Sequence, residues 1–428
     1  MLGELIQFVA LVVLLTAFAY LLLVILGNFR IQNAAAVSAD AEKAYFRTRV
    51  DEIMERRKII HAQEELSWQG FRKFKVQRKN VEGGDICSLY LQPHDDRPLP
   101  AFYPGQYLTF RLNIPGQNKH TIRCYSLSDA PNEERYRISV KKQPPPRDNP
   151  DAPPGLVSNF FHDRVNEGDI IDVKAPSGNF YLDAAKAHPV VLIGGGVGLT
   201  PVLSMLNEIV ARQWNSEVWF FYGVRNGSEH VMKDHLNEIA KAAGNVRLFV
   251  CYSNPSEDDV QGEDYQIEGR VSVELFKELL PSSNYHFYFC GPPPMMSSLF
   301  EDLREWDVPE DHLHYEAFGP ATVKKKQEAD ELAGDDAGES KSDAECSVTF
   351  AKSNKIAKWV SAAGSLLDLA EENDIDIEFG CRAGNCGTCI TAVKGGEVDY
   401  LSEPGEMPES GSCLSCIAVP KGDITIDA

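Results

Sequence analysis

Cys381-Arg382-Ala383-Gly384-Asn385-Cys386-Gly387-Thr388-Cys389 decides how the last part of this chain folds. Its cysteines are spaced C-x4-C-x2-C, and further cysteines follow at 413 and 416. A run of this spacing with a distant fourth thiolate wraps a [2Fe–2S] cluster, because each iron takes two sulfur ligands beyond the bridging sulfides. Gly384 and Gly387 suit so tight a loop, which needs backbone angles closed to other residues while its N–H groups turn toward the sulfurs. A zinc site and scattered structural cysteines are the rival readings.

Around that loop, residues 346–428 resemble a plant-type ferredoxin domain, down to the Cys-Leu-Ser-Cys of 413–416. The resemblance implies an α+β β-grasp fold. It also makes Cys416 the fourth metal ligand beside Cys381, Cys386 and Cys389, and leaves Cys413 out. The preceding residues 323–345 read as a flexible linker. From 324 to 345 there is no aromatic residue, one Leu, and charge of both signs, too little apolar surface to fold.

Further upstream the hydrophobic period changes. Residues 69–187 alternate in short runs such as 107–112 and 136–140, broken by Gly and Pro, which predicts an antiparallel β-barrel. Residues 188–322 hold continuous apolar runs at 190–193, 218–222, 246–251 and 286–290 separated by helical stretches, which predicts a parallel α/β sheet. Each region carries a motif. Arg123-Cys124-Tyr125-Ser126-Leu127-Ser128 offers an aromatic face, a hydroxyl and a cation at the end of a barrel run. Gly194-Gly195-Gly196-Val197-Gly198-Leu199-Thr200-Pro201 follows its strand directly. There the glycines let backbone approach a diphosphate, Thr200 can cap the helix, and the helix N-terminus attracts anions. Cys290-Gly291-Pro292 ends a later strand, where an ordinary buried cysteine is the alternative for Cys290.

In this order the motifs resemble the ferredoxin–NADP reductase superfamily, and residues 69–320 look most like the reductase half of flavohaemoglobins. The resemblance implies an FAD-binding barrel over 69–187 and an NAD-binding domain over 188–322. It assigns Arg123 to phosphate, Tyr125 to the isoalloxazine face and Ser126 to N5, with Tyr107 and Cys124 beside them. Gly155, Val157 and Ser158 match the segment that holds the pyrophosphate. Gly194, Gly196, Gly198 and Thr200, with Gly291 and Pro292, are expected to bind NADH. Cys290 is expected beside the reactive nicotinamide carbon, and Glu316 and Phe318 at the flavin–nicotinamide interface. Ser126, Cys290 and Glu316 thus form the expected catalytic group. After the second strand, Arg225 and Glu229 leave the nucleotide undecided by charge count. A lone cation with a carboxylate nearby favours NADH over NADPH.

NADH gives two electrons as hydride and a [2Fe–2S] cluster accepts one, so the expected order is NADH, FAD, cluster, then an electron-accepting protein. That acceptor is expected to be an oxygenase or desaturase. The alternative is a respiratory complex, since the flavin subunit of sodium-pumping NADH–quinone reductase has similar modules in a different order. A net charge of −21 argues against nucleic acid. It suits a basic docking partner. The ten cysteines form no secreted-type framework, which points to a reducing compartment. Residues 5–26 carry no charge over 22 positions, the length that crosses ~30 Å of hydrocarbon as a helix. With Arg and Lys following the run, this predicts a transmembrane anchor over 1–30 and a juxtamembrane amphipathic helix over 31–68. The protein is therefore expected at the cell (inner) membrane as a single-pass protein, with its catalytic domains in the cytoplasm.

Overall fold

The computed structural model describes the chain apart from residues 1–10, 12–13, 19, 27–42, 52, 55–56, 58–64, 118, 146–148, 185, 319–344, 361–362, 385, 402–403 and 405–406. Two compact units emerge, Met1–His61 and Ala62–Ala428.

In the first unit the described residues are helical and exposed, with unbroken stretches at 20–26 and 43–51. Among the described residues no helix is long and apolar enough to cross a membrane. The transmembrane helix expected over 5–26 is corrected accordingly. Hydropathy counts apolar positions, whereas a span needs about 20 of them in one continuous helix. Much of the expected juxtamembrane helix lies outside the described residues.

The second unit holds three main sheets. The first contains β1 (Arg72–Gly83), β2 (Ile86–Pro93), β3 (Tyr107–Leu112), β4 (Thr121–Ser126), β5 (Tyr136–Lys141) and β6 (Ile170–Val173), in the order β4-β3-β6-β1-β2-β5. In β1, Arg72, Phe74 and Val76 are buried while Lys73, Lys75 and Gln77 are exposed, the alternation that puts successive side chains on opposite faces. All its strand pairs are antiparallel. A bridge between Leu127 and Ile138 joins the two edges, and closure into a barrel removes exposed strand edges. The register of β3 on β4 sets Tyr107 opposite Ser126 and Thr109 opposite Cys124.

The second sheet contains β7 (Val190–Gly195), β8 (Val218–Val224), β9 (Val246–Tyr252), β10 (Ile267–Glu268), β11 (His286–Gly291) and β12 (Leu313–Ala317). It is parallel, in the order β10-β9-β8-β7-β11-β12. Every residue of β7 is buried, as expected of a strand covered by helices on both faces. The strand order reverses between β7 and β11, and the carboxyl ends at such a switch point form the crevice that receives ligands.

The third sheet draws on β13 (Cys346–Phe350), β14 (Lys355–Trp359), β15 (Ile390–Gly395), β16 (Val398–Tyr400), β17 (Ser412–Leu414), β18 (Ala418–Pro420) and β19 (Ile424–Ile426). Five of these strands run β14-β13-β19-β15-β17, and β16 pairs with β18. The helix Leu366–Glu372 opens with a capping box. Ser365 Oγ accepts from the Asp368 N–H while the Asp368 carboxylate accepts from the Ser365 N–H, satisfying two helix-end donors at once. With β13 parallel to β19, the arrangement is the β-grasp expected of a ferredoxin domain. Nearly all of the expected linker lies outside the described residues.

Candidate functional site

A cavity of about 480 Å³ is bordered by all three sheet domains. From the barrel come Tyr107, Arg123, Cys124, Tyr125 and Ser126. The parallel-sheet domain supplies Val197, Thr200, Glu316 and Phe318, and the cluster loop supplies Gly380 to Ala383.

On the barrel side, the Tyr125 ring stands edge-on to Phe110 and Phe161, at centroid distances of 5.9 and 5.2 Å. Those buried rings hold it at the cavity wall. Tyr107 is 3% exposed, and among the described residues its hydroxyl has no hydrogen-bond partner. Arg123 donates to the Ile122 carbonyl at 2.7 Å. Its guanidinium also lies 5.4 Å from the Phe379 ring centroid, which places it against the ferredoxin-like domain. Ser126 Oγ donates to Glu316 Oε2 at 3.4 Å. Burial pushes the Glu316 carboxyl up to about 8, against the pull of the Ser126 bond, so it holds a proton at neutral pH.

The expected pyrophosphate segment lies beside the cavity and joins it through Gln143, one of the lining residues. Gly155 N–H donates to the Gln143 carbonyl at 3.0 Å. Ser158 Oγ donates to the Gly155 carbonyl and accepts from the Gln143 N–H, both at 3.2 Å. The Val157 side chain belongs to the barrel core, so only its backbone amide is left for a phosphate.

The glycine turn packs on β11 at contact distance. A Cβ on Gly198 would lie 2.2 Å from the Cys290 carbonyl oxygen, and no side chain fits there. Gly196 has φ +54 with nothing within 4 Å of a built Cβ, an open cradle for a diphosphate. Gly194 and Gly291 are also hemmed in, since a Cβ on the one would lie 2.9 Å from Leu199 Cα and a Cβ on the other 3.2 Å from Gly195 Cα. Pro292 precedes the helix Pro293–Glu305. Thr200 does not cap its helix as expected: Gly198 holds the N-cap position, and Thr200 Oγ1 donates to the Val197 carbonyl at 3.1 Å. Cys290 pairs in register with Gly194 on one side and Glu316 on the other. Its side chain is fully buried in the core and borders the cavity nowhere. Burial pushes its thiol well up, with the Glu316 charge adding to the effect.

In the cluster loop the four thiols form two pairs. Cys381 N–H donates to Cys386 Sγ at 3.2 Å, and Cys386 N–H to Cys381 Sγ at 3.3 Å. Cys389 Sγ and Cys416 Sγ lie 3.1 Å apart. Two pairs suit two irons, each with two thiolates, and amide donors at sulfur are what an iron–sulfur loop provides. Among the described residues no three His, Cys, Asp or Glu side chains are placed to hold a single ion. Gly384 has φ +73, and a Cβ there would lie 2.3 Å from Ile417 Cδ1. Cys413 is buried in the domain core, and burial pushes its thiol up to about 11. The four thiols fit a [2Fe–2S] cluster, and the cavity, with the Tyr125 ring, the Ser126 hydroxyl and the Arg123 and Lys141 cations in its lining, fits a flavin.

Lys141, Gln143, Gly380 and Arg382 also border the cavity and were not singled out by the motifs. A cation at the end of β5, the barrel strand bridged to the motif strand, was the available signal for Lys141. Gly380 and Arg382 had only their adjacency to Cys381.

Comparison with known proteins places family models on all three domains. An oxidoreductase FAD-binding domain matches residues 73–181, an oxidoreductase NAD-binding domain 192–300, and a 2Fe-2S iron-sulfur cluster binding domain 353–421. These matches give the chain FAD, NADH and a [2Fe–2S] cluster as its cofactors. A flavohemoprotein of Bordetella pertussis is 39% identical over 290 residues, 66% of this chain and 70% of that protein. A flavohemoprotein of Halalkalibacterium halodurans is 42% identical over 254 residues, 59% of this chain, and the chain spans 61% of that relative's length. The FAD/NAD-binding domain of nitric oxide dioxygenase from Vibrio cholerae superposes with a TM-score of 0.52 at 33% identity, covering 59% of this chain and all of that one. Phthalate dioxygenase reductase shares the fold over 86% of this chain and 99% of its own, with a TM-score of 0.52 at 24% identity.

Proposed function

Because the chain belongs to the ferredoxin–NADP reductase superfamily of FAD- and NAD-binding oxidoreductases and carries a [2Fe–2S] domain after that module, we propose that it is an NADH-dependent reductase delivering single electrons to a protein acceptor, an oxygenase or desaturase. One observation carries the reading. The flavin motif, Glu316, Thr200 and the cluster ligand Cys381 all border one cavity. When bound, FAD supplies the conversion between the hydride of NADH and the one-electron chemistry of a [2Fe–2S] cluster.

The residues of the chain supply orientation and electrostatics. Tyr125 and Tyr107 offer an aromatic wall and a hydroxyl to the flavin. Arg123 and Lys141 place positive charge where its phosphates are expected. Glu316 keeps a proton beside the Ser126 hydroxyl, and Phe318 stands at the mouth, where an aromatic cover keeps water out. For the nucleotide, Arg225 Nε donates to Glu229 Oε1 at 2.9 Å. A guanidinium already matched by a carboxylate is a poor host for a 2′-phosphate dianion, which supports NADH. For the acceptor, residues 346–428 hold 13 acidic and 6 basic side chains, a net −7, which suits docking on a basic face. The fold shared with phthalate dioxygenase reductase points the same way.

The test is reconstitution of the full chain with both cofactors. The reading expects one FAD and one [2Fe–2S] per chain and NADH-driven reduction of cytochrome c and of a purified oxygenase component. A fully loaded protein that NADH does not reduce would overturn it.

A further inference from the structure

The flavin motif and the cluster loop touch each other through a residue whose role neither motif explains. In β4, Cys124 stands opposite Thr109, whose hydroxyl lies 3.4 Å from the Cys124 sulfur. That sulfur meets the cluster loop at Gly380. A Cβ on Gly380 would lie 2.9 Å from Cys386 Sγ and 3.5 Å from Cys124 Sγ, so a residue without a side chain lets the two sulfurs approach. Both sulfurs thus lie within 3.5 Å of a single point, the Cβ position that Gly380 leaves empty.

Two more contacts fix the same face. The Phe379 ring has the Arg123 guanidinium 5.4 Å from its centroid and that of Arg382 at 4.1 Å. Lys119 of the barrel also pairs with Asp376. The contact between Cys124 and the loop is therefore part of a docked interface.

We propose that Cys124 is a positioning residue for the cluster, its S–H donating to the Cys386 ligand sulfur so that the cluster domain is seated on the flavin motif and the reduced cluster is stabilised. The inference rests on the reading of the loop as a [2Fe–2S] site. The direction of the bond follows from chemistry, since a ligand thiolate carries no proton and must accept. A hydrogen bond to a ligand sulfur favours the more negative, reduced state and so raises the reduction potential. Serine at this position keeps a donor on a shorter arm, whereas alanine removes it.

The experiment uses the full chain loaded with both cofactors, as wild type, Cys124→Ala and Cys124→Ser, in a redox titration followed by EPR. The alanine variant is expected to lower the cluster potential enough to cut the equilibrium constant for flavin-to-cluster electron transfer about tenfold, which is 59 mV for a one-electron couple. The serine variant is expected to fall between alanine and wild type. The flavin potential in the same samples is the reference. An unchanged cluster potential and EPR spectrum in both variants would overturn the inference while leaving the cluster assignment standing, and so would a common shift of both potentials. A wild-type chain that takes up no cluster would overturn the underlying reading itself.

Discussion

The two ends of the parallel sheet carry different kinds of buried chemistry on the same strands. At the carboxyl ends of β7, β11 and β12 lie the glycine turn, Cys290 and Glu316. At the amino ends lie His188, His286, His312 and His314. The His286 ring is 4.1 Å from that of His188 and 3.9 Å from that of His312, centroid to centroid, and His286 Nδ1 is 3.2 Å from His314 Nε2. At both ends burial favours the uncharged form of the group. Burial pushes Glu316 up to about 8. Burial, with neighbouring histidines adding to it, pushes His286 and His314 down to about 4. The surroundings differ. Glu316 opens on a cavity shared with two other domains, whereas the imidazoles stack on one another. A shifted pKa therefore does not make a site; polar groups converging on open space do.

The strongest way to break this contrast is to fill the carboxyl end. Gly198→Ala sets a Cβ 2.2 Å from the Cys290 carbonyl oxygen and must lift the turn off β11, an overpacking that costs on the order of 1–3 kcal/mol. NADH affinity is expected to fall at least tenfold by titration, while His312→Ala at the other end leaves it unchanged. Equal affinities for Gly198→Ala and wild type would mean that the nucleotide meets the chain elsewhere.

Glu316 sharpens the contrast next. In single-turnover reduction by NADH, Glu316→Ala is expected to slow the flavin step about 100-fold, the low end of the range for a lost preorganised hydrogen-bonding group. Glu316→Gln, which resembles the neutral acid, stays within a few-fold of wild type at pH 7. It also lacks the change in rate that wild type shows near pH 8. A pH profile shared by wild type and Glu316→Gln would remove Glu316 from the reaction.

Stability should read the two ends with opposite sign. The Glu316 pKa is raised above the ordinary 4.5, so the folded state keeps a proton that the unfolded state gives up. That contribution is complete at low pH and is lost as pH rises from about 4.5 to about 8. The His286 pKa is lowered from 6.5 to about 4, so its contribution is complete above 6.5 and is lost as pH falls toward 4. Glu316→Gln should flatten the alkaline limb of Tm against pH, and His286→Gln the acid limb, each by a few degrees. An acid limb untouched by His286→Gln would show that the stacked imidazoles do not titrate as a group.

The smallest effect concerns Glu229, near the carboxyl end of β8. Glu229→Gln frees Arg225 and is expected to narrow the kcat/KM preference for NADH over NADPH, where a tenfold change corresponds to about 1.4 kcal/mol. A ratio that does not move would leave Glu229 as a partner of Arg225 and Lys141 with no part in choosing the nucleotide.

Much of this was legible in the sequence, for physical reasons. Strands buried on both faces are continuous apolar runs, so β7, β8, β9 and β11 stood out, and the cysteine spacing identified the cluster loop. Hydropathy failed at the N-terminus, because an apolar run does not establish a continuous helix. The histidine group was invisible because His188 and His286 meet only through the register of β11 on β7, where His286 pairs with Val190. Motif matching named Val157 and Cys290 but could not say that their side chains turn into the core. Nor does any local pattern record how one domain docks on another, so the contact of Arg123 with Phe379 and the approach of the Cys124 and Cys386 sulfurs to Gly380 emerged only from the fold.

The most direct test of the whole account is Cys386→Ser in the full chain, assayed with NADH against two acceptors. Ferricyanide accepts electrons from the flavin alone, whereas cytochrome c is expected to be served through the cluster. The account predicts that cytochrome c reduction is abolished while much of the ferricyanide activity remains. Equal loss of both would contradict it, because the cluster would then not lie downstream of the flavin.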